Sequence, residues 1–71
     1  MKIWGVVEKE AAVVQGKVQY QVKSGEKCYD IISKDRQAVK DLIFLREGQN
    51  IEVDVIQSNQ EYLSRGSIIG L

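Results

Sequence analysis

The sequence predicts a single small all-β barrel that carries one short helix, and two changes in apolar spacing predict it. Residues 35–57 read DRQAVKDLIFLREGQNIEVDVIQ, and their apolar side chains recur every three or four residues up to position 43. From Gln49 the apolar residues alternate with polar ones, which is the period of a half-buried strand. The segment KVQYQVK at residues 17–23 alternates in the same way. A helix that is followed directly by a strand therefore interrupts a chain of strands.

The length and net charge of the chain limit the functions that it can have. The chain has 71 residues, which predicts one domain spanning residues 1–71, and its net charge is zero. A neutral chain does not favour strong non-specific nucleic-acid binding, because that binding depends on neutralising phosphates. The charge is uneven, however: residues 1–40 hold eight basic and five acidic side chains, and residues 41–71 hold two and five. This is either a chance fluctuation or the mark of one basic and one acidic side.

The residues that most enzymes and metal sites require are missing. The chain has no histidine and one cysteine, so a disulfide within it, a Cys–His or Ser–His nucleophile and a histidine-containing zinc site are excluded. The carboxylates are those of a solvated surface, and we expect neither a metal nor a cofactor. We expect no enzyme, no membrane contact and a cytoplasmic location, since the sequence shows no signal peptide or bilayer-spanning stretch.

The first half of the chain reads as three strands. Strand one spans residues 2–14, with a charged break at Glu8-Lys9-Glu10 and with Gly5 marking a bend. Strand two spans residues 17–23, and strand three, residues 28–33, forms a hairpin with it.

The second half supplies the helix and two further strands. The helix spans residues 36–45, with Asp35 as its N-terminal cap and Gly48 as the residue that ends it. Strand four spans residues 49–57, and strand five spans residues 62–70 with Gly66 as a candidate bulge. The order β-β-β-α-β-β is that of the five-stranded OB-fold.

The alternating and helical spacings also predict the core. Side chains that share the apolar face of each element are expected to be buried. They are Val18, Tyr20, Val22, Tyr29, Ile31, Val39, Leu42, Ile51, Val53 and Val55. Cys28 is expected to be a small buried or half-buried thiol.

Residues 29–57 carry a family resemblance. The segments YDIISKDRQAV and FLREGQNIEVDVIQ match, at corresponding spacing, an aromatic-led strand, a helix, a "leucine–two residues–glycine" junction and an alternating strand. In this pattern the chain resembles the bacterial single-stranded DNA-binding proteins, and Trp4-Gly5 resembles the end of their first strand. The resemblance implies an OB-fold and single-stranded DNA as the ligand. Lys34 stands where that family often places a stacking tryptophan, and Asp30 on the same face would repel phosphate.

The candidate nucleic-acid-binding residues lie on the polar face of strands two and three, the usual binding face of an OB-fold. A single-strand binder needs a basic groove for phosphates and aromatic faces for the bases. The candidates are Lys17, Gln19, Gln21, Lys23, Lys27, Lys34, Arg36 and Trp4. The alternative is that this face is simply the hydrated side of a sheet. Trp4 could fill the barrel, contact a second subunit or stack on a base, and we rank these in that order.

Two functions from different classes fit these observations. The first is a small OB-fold protein that binds single-stranded nucleic acid, most directly DNA, weakly through the face of strands two and three. The second is a protein-interaction OB module with no nucleic-acid role, which the neutral charge and the few aromatic residues favour. We also expect a homodimer that forms through an exposed strand edge or the Trp4 strand.

Overall fold

The structure is a computed structural model that describes residues 1–66 and 68–71, with the backbone alone at Asp35. The described residues form six strands and one helix. In chain order these are β1 (Lys2–Val14), β2 (Lys17–Ser24), β3 (Lys27–Ser33), α1 (Asp35–Phe44), β4 (Asn50–Ser58), β5 (Glu61–Ser64) and β6 (Ile69–Gly70).

Five of the strands close into a barrel. The strands are hydrogen-bonded in the order β1-β2-β3-β5-β4, and β4 returns to pair with β1. The β3–β5 pair is parallel and the other pairs are antiparallel. The helix lies in the chain between β3 and β4. The predicted fold class, an OB-fold of order β-β-β-α-β-β, is confirmed.

The predicted fifth strand is interrupted rather than continuous. β5 ends at Ser64 and β6 begins at Ile69, and Gly66 between them has a φ of 77° that takes the chain out of the strand conformation. Both pieces pair with β4, β5 with its second half and β6 with Ile51 and Glu52. Ser67, which the prediction included in this strand, lies outside the described residues.

β1 forms the corner that closes the barrel. Its residues 2–6 pair with β4 and its residues 6–14 pair with β2, so that Val6 pairs with both strands. A side chain at Gly5 would overlap the backbone of Lys23 on β2, which is why glycine suits the predicted bend. The charged segment at residues 8–10 remains within the strand, where register shifts on either side of Lys9 mark irregular pairing.

The barrel interior contains the alternating apolar side chains that the sequence indicates. Seven predicted core residues are buried: Val18, Tyr20, Val22, Ile31, Ile51, Val53 and Val55. Tyr29 is only half-buried and packs against the edge of this core. Ile3 and Val7 of β1 and Leu45 after the helix complete the interior.

The predicted buried face of α1 is wrong. Val39 is 60% exposed and Leu42 is 37% exposed, whereas Asp41 and Leu45 are buried. The physical reason is a polar anchor between the helix and the barrel: Ser33 Oγ of β3 donates a hydrogen bond to Asp41 Oδ2. Because that bond fixes which side of α1 faces β3, the Val39 side faces solvent.

The ends of α1 also differ from the prediction. The helix begins at Asp35 with Lys34 in the N-cap position, and the Asp35 side chain, the predicted cap, lies outside the described residues. At the other end the helix stops at Phe44, because Leu45 adopts an extended conformation and turns its side chain into the barrel. Gly48, with a φ of 85°, belongs to the following turn and donates its N–H to Val7 O at 2.8 Å.

Candidate nucleic-acid interface

The outward face of the β2–β3 hairpin carries four of the eight predicted binding residues, Lys17, Gln19, Gln21 and Lys23. The antiparallel register places Gln19 opposite Ile32 and Gln21 opposite Asp30. Their neighbours on β2, Tyr20 and Val22, are buried, so the alternation of a strand turns the glutamines outward. The sequence therefore identifies correctly which side chains of β2 lie on the outer surface.

β1 extends this surface on the other side of β2. Ala12 lies opposite Gln19 and Lys9 lies opposite Gln21. The three strands form a shallow groove lined mainly by polar side chains and short apolar ones. Its lining consists of Lys9, Glu10, Ala12, Val14, Gln19, Tyr20, Gln21 and Asp30. At its centre Gln21 Nε2 donates to Asp30 Oδ1 at 3.1 Å, so these two side chains hold each other in place.

A second groove continues the first toward the helix. It is lined by Gly16, Lys17, Val18, Ile32, Ser33, Lys34 and Ala38. The two grooves meet at the Gln19–Ile32 pair, because Gln19 lines the first and Ile32 lines the second. We call this continuous surface the β1–β3 groove. Tertiary structure brings Lys17 and Lys34, which are distant in sequence, to the same stretch of it.

The tip of the β2–β3 hairpin lies beyond the end of the groove that the Gln21–Asp30 pair forms. Lys23 lies opposite Cys28, and both side chains are exposed, so the expectation of a buried or half-buried thiol is wrong. Alternation along β3 turns Cys28 outward, because Tyr29 and Ile31 take the inward positions. Lys27 Nζ lies 4.9 Å from the centre of the Tyr29 ring, a cation–π geometry.

The Tyr29 ring is also held from the other side. It packs edge-on against Tyr62, with 5.1 Å between ring centres and 85° between ring planes. Both tyrosines are half-buried and contact the core. Their rings are therefore occupied by intramolecular packing, and the β1–β3 groove is short of free aromatic faces for stacking.

Charges along the β1–β3 groove are mixed. Lys17 Nζ lies 3.5 Å from Glu61 Oε2 in an exposed ion pair, and Glu10 and Asp30 add negative charge to the lining. Lys34 and Arg36 are exposed, and neither takes part in an ion pair between described residues. Positive charge is thus concentrated at the two ends, at the hairpin tip and at the start of α1.

Trp4 is separate from the other candidates. Its side chain is 64% exposed, so the first-ranked position, in the barrel core, is wrong. It lies on the part of β1 that pairs with β4, and its indole N–H donates to Glu52 Oε1 at 2.5 Å. This bond directs the ring over β4 and away from β2. Trp4 is exposed because successive side chains of a strand point to opposite faces, and Ile3 takes the inward position.

Lys9 is a groove residue that the sequence did not indicate. Its position opposite Gln21 depends on the irregular pairing of β1 around it. A charged triplet in the sequence gives no sign of that irregularity, so only the register of the folded sheet places Lys9 in the groove.

The groove lies over the buried side chain of Tyr20. Its hydroxyl is buried inside the barrel, and this burial raises the pKa of the hydroxyl above its usual value, with the Asp41 carboxylate raising the pKa further. Within residues 1–66 and 68–71, no three acidic or cysteine side chains gather where a metal ion could be held. In the same part of the chain no helix has the length and apolar character needed to span a membrane.

Comparison with known proteins supports the fold. No protein-family model matches the chain, and no curated protein matches its sequence. Among solved structures it is similar to the mitochondrial single-stranded DNA-binding protein Rim1 from S. cerevisiae. The TM-score is 0.76 at 16% sequence identity, and the match covers 100% of this chain and 92% of that one. The chain thus shares the barrel of a single-stranded DNA-binding protein, as the sequence resemblance predicts.

Proposed function

We propose that this protein binds single-stranded DNA weakly through the β1–β3 groove. The observation that carries the proposal is the continuity of the groove from the Gln21–Asp30 pair, past the Gln19–Ile32 pair, to Lys34 at the start of α1. Outward glutamines donate and accept hydrogen bonds without requiring a particular base. The likeness of the barrel to a single-stranded DNA-binding protein supports the choice of ligand.

Phosphate contacts carry most of the proposed affinity. Lys23 contacts the backbone of the strand at one end, and Lys34 and Arg36 contact it at the other end, where Lys17 also contacts it in competition with Glu61. Base stacking contributes roughly 1–3 kcal/mol per base where aromatic faces are free. Since Tyr29 and Tyr62 pack on each other, stacking contributes little here. The affinity is therefore micromolar or weaker and strongly dependent on salt.

Replacing Lys23 and Lys34 by alanine tests the groove at both ends. Each phosphate contact on a single strand contributes about −0.7 to the slope of log affinity against log salt concentration. Three to five contacts give the parent a slope of roughly −2 to −3.5, and the double variant should be flatter by about 1.4. Fluorescence anisotropy of labelled oligo-dT across a salt series measures both slopes.

A matched control removes the same charge elsewhere. Lys2 lies on the β1–β4 side of the barrel and Arg65 follows β5, and both are exposed. The Lys2→Ala/Arg65→Ala variant should keep the parental slope. Equal flattening in the two double variants would show that net charge, rather than this groove, determines binding.

A parent that does not bind oligo-dT even at low salt would favour the alternative function, a protein-interaction module. The acidic residues Glu10 and Asp30 in the groove also favour that alternative.

A homodimer is the proposed assembly. Residues 8–14 of β1 pair with β2 along one edge, and no other described strand pairs with the opposite edge. Such an edge presents backbone donors and acceptors to another strand, and the exposed Val13 and Val14 lie in it. We expect sedimentation velocity to show a dimer that dissociates on dilution, and Val13→Lys to favour the monomer. A parent that stays monomeric at high concentration contradicts this assembly.

The cytoplasmic location and the lack of an enzymatic role stay predictions.

A further inference from the structure

The outward face of α1 carries mostly exposed apolar side chains that lie outside the buried core cluster. Ile43 is 69% exposed, and Val39 lies beside it one helical turn earlier, also mostly exposed. The apolar spacing that would normally bury a helix is therefore turned away from the barrel, because the Ser33–Asp41 bond holds the polar side inward. Apolar side chains that share one face of a helix and point to solvent mark an interaction surface.

Basic side chains flank these apolar ones. Arg36 and Lys40 lie on the same side of the helix at three- and four-residue spacing from Val39 and Ile43, and both are exposed. Neither is in an ion pair with a described residue. The one acidic side chain of α1 that is described, Asp41, is buried on the opposite side. Among the side chains that the structure describes, the outward face of α1 is thus apolar at its centre and positive at its border.

A groove lies beside this face, on the flank of α1 that is next to the C-terminal segment. It is lined by Gln37, Lys40, Asp41, Phe44 and Ile68 and has a volume of about 200 Å³. Pockets for drug-sized molecules are roughly 300–1,000 Å³, so this groove suits a single large side chain. The Phe44 ring, which is partly exposed, forms one wall and packs close to Gly70.

We propose that the outward face of α1 docks an acidic amphipathic helix of another protein. Apolar side chains of the partner pack on Val39 and Ile43, and one of them enters the groove beside Phe44. Its carboxylates lie against Arg36 and Lys40, so the charges on the two sides are complementary. A second copy of this chain is a poor occupant, because two positive faces repel each other. An anionic bilayer is disfavoured as well, since membrane binding by a helix normally requires a larger apolar face and a longer row of basic residues.

The test uses a designed peptide, because the partner is not identified. The probe is a labelled peptide of about 14 residues, four helical turns, with leucine at i, i+3, i+4 and i+7 and glutamate elsewhere. A second peptide has the same composition in scrambled order. We expect the first peptide alone to bind in fluorescence anisotropy, and Val39→Ser/Ile43→Ser to weaken its binding at least about tenfold. Lys40→Glu should weaken binding by a similar factor.

Controls separate this face from folding and from the β1–β3 groove. Ile56→Ser removes an exposed isoleucine from β4, away from α1, and should leave peptide binding unchanged. The Val39→Ser/Ile43→Ser variant should melt like the parent and bind oligo-dT like the parent, so this proposal and the DNA-binding proposal can fail independently. Equal binding of the scrambled peptide, or undiminished binding by the double variant, would overturn the docking site. It would also be overturned by binding of the parent to anionic phosphatidylserine vesicles in place of the peptide.

Discussion

Leu45→Ala should lower the free energy of unfolding by roughly 2–5 kcal/mol, the range for truncating a buried leucine. Leu45 is fully buried, and it follows α1 in an extended conformation that points its side chain into the end of the barrel. No other described residue of the helix segment contributes an apolar side chain to the buried core cluster. A domain of this size is stable by roughly 4–10 kcal/mol in total, so a large share of its stability depends on one side chain.

Leu42→Ala is the matched control for this effect. It removes the same atoms from a leucine that is 37% exposed, and it should cost about 1 kcal/mol or less. Urea unfolding followed by circular dichroism gives both values, and the melting temperature of Leu45→Ala should fall by roughly 10 °C or more. A Leu42→Ala variant that loses as much stability as Leu45→Ala would contradict the observed rotation of α1.

Gly5→Ala should destabilise the barrel by roughly 1–3 kcal/mol or more, the cost of overpacking a rigid site. A β-carbon at position 5 would lie 2.8 Å from the carbonyl carbon of Lys23 and closer still to its oxygen. Because the obstacle is backbone, relief requires β1 and β2 to separate at the corner where β1 also pairs with β4. Thermal unfolding of the variant should begin well below that of the parent.

Gly70→Ala is the corresponding control. Its added β-carbon would lie 3.1 Å from Phe44 Cζ, the far end of a partly exposed side chain that can move. We expect a much smaller loss of stability than for Gly5→Ala. If the two variants melt alike, close approach at the barrel corner is not the reason for glycine at position 5.

The strands and their faces are the part of this protein that its sequence determined. Alternation has a period of two, so the apolar Val18, Tyr20 and Val22 had to share one face and Gln19 and Gln21 the other. The same reasoning placed Ile51, Val53 and Val55 in the core. The outward position of the β2 side chains of the candidate interface could therefore be predicted without a structure.

Tertiary structure alone decided how the elements meet. The spacing of α1 favoured burial of Val39 and Leu42, but the hydrogen bond from Ser33 to Asp41 turned the other side inward. The spacing of apolar residues shows that a helix has an apolar face. The contacts that the neighbouring strand offers determine which face of the helix is buried. Likewise, Lys9 reaches the groove through irregular pairing of β1, and Lys34 meets Lys17 through the β2–β3 register. These positions depend on contacts between distant segments, which local patterns do not encode.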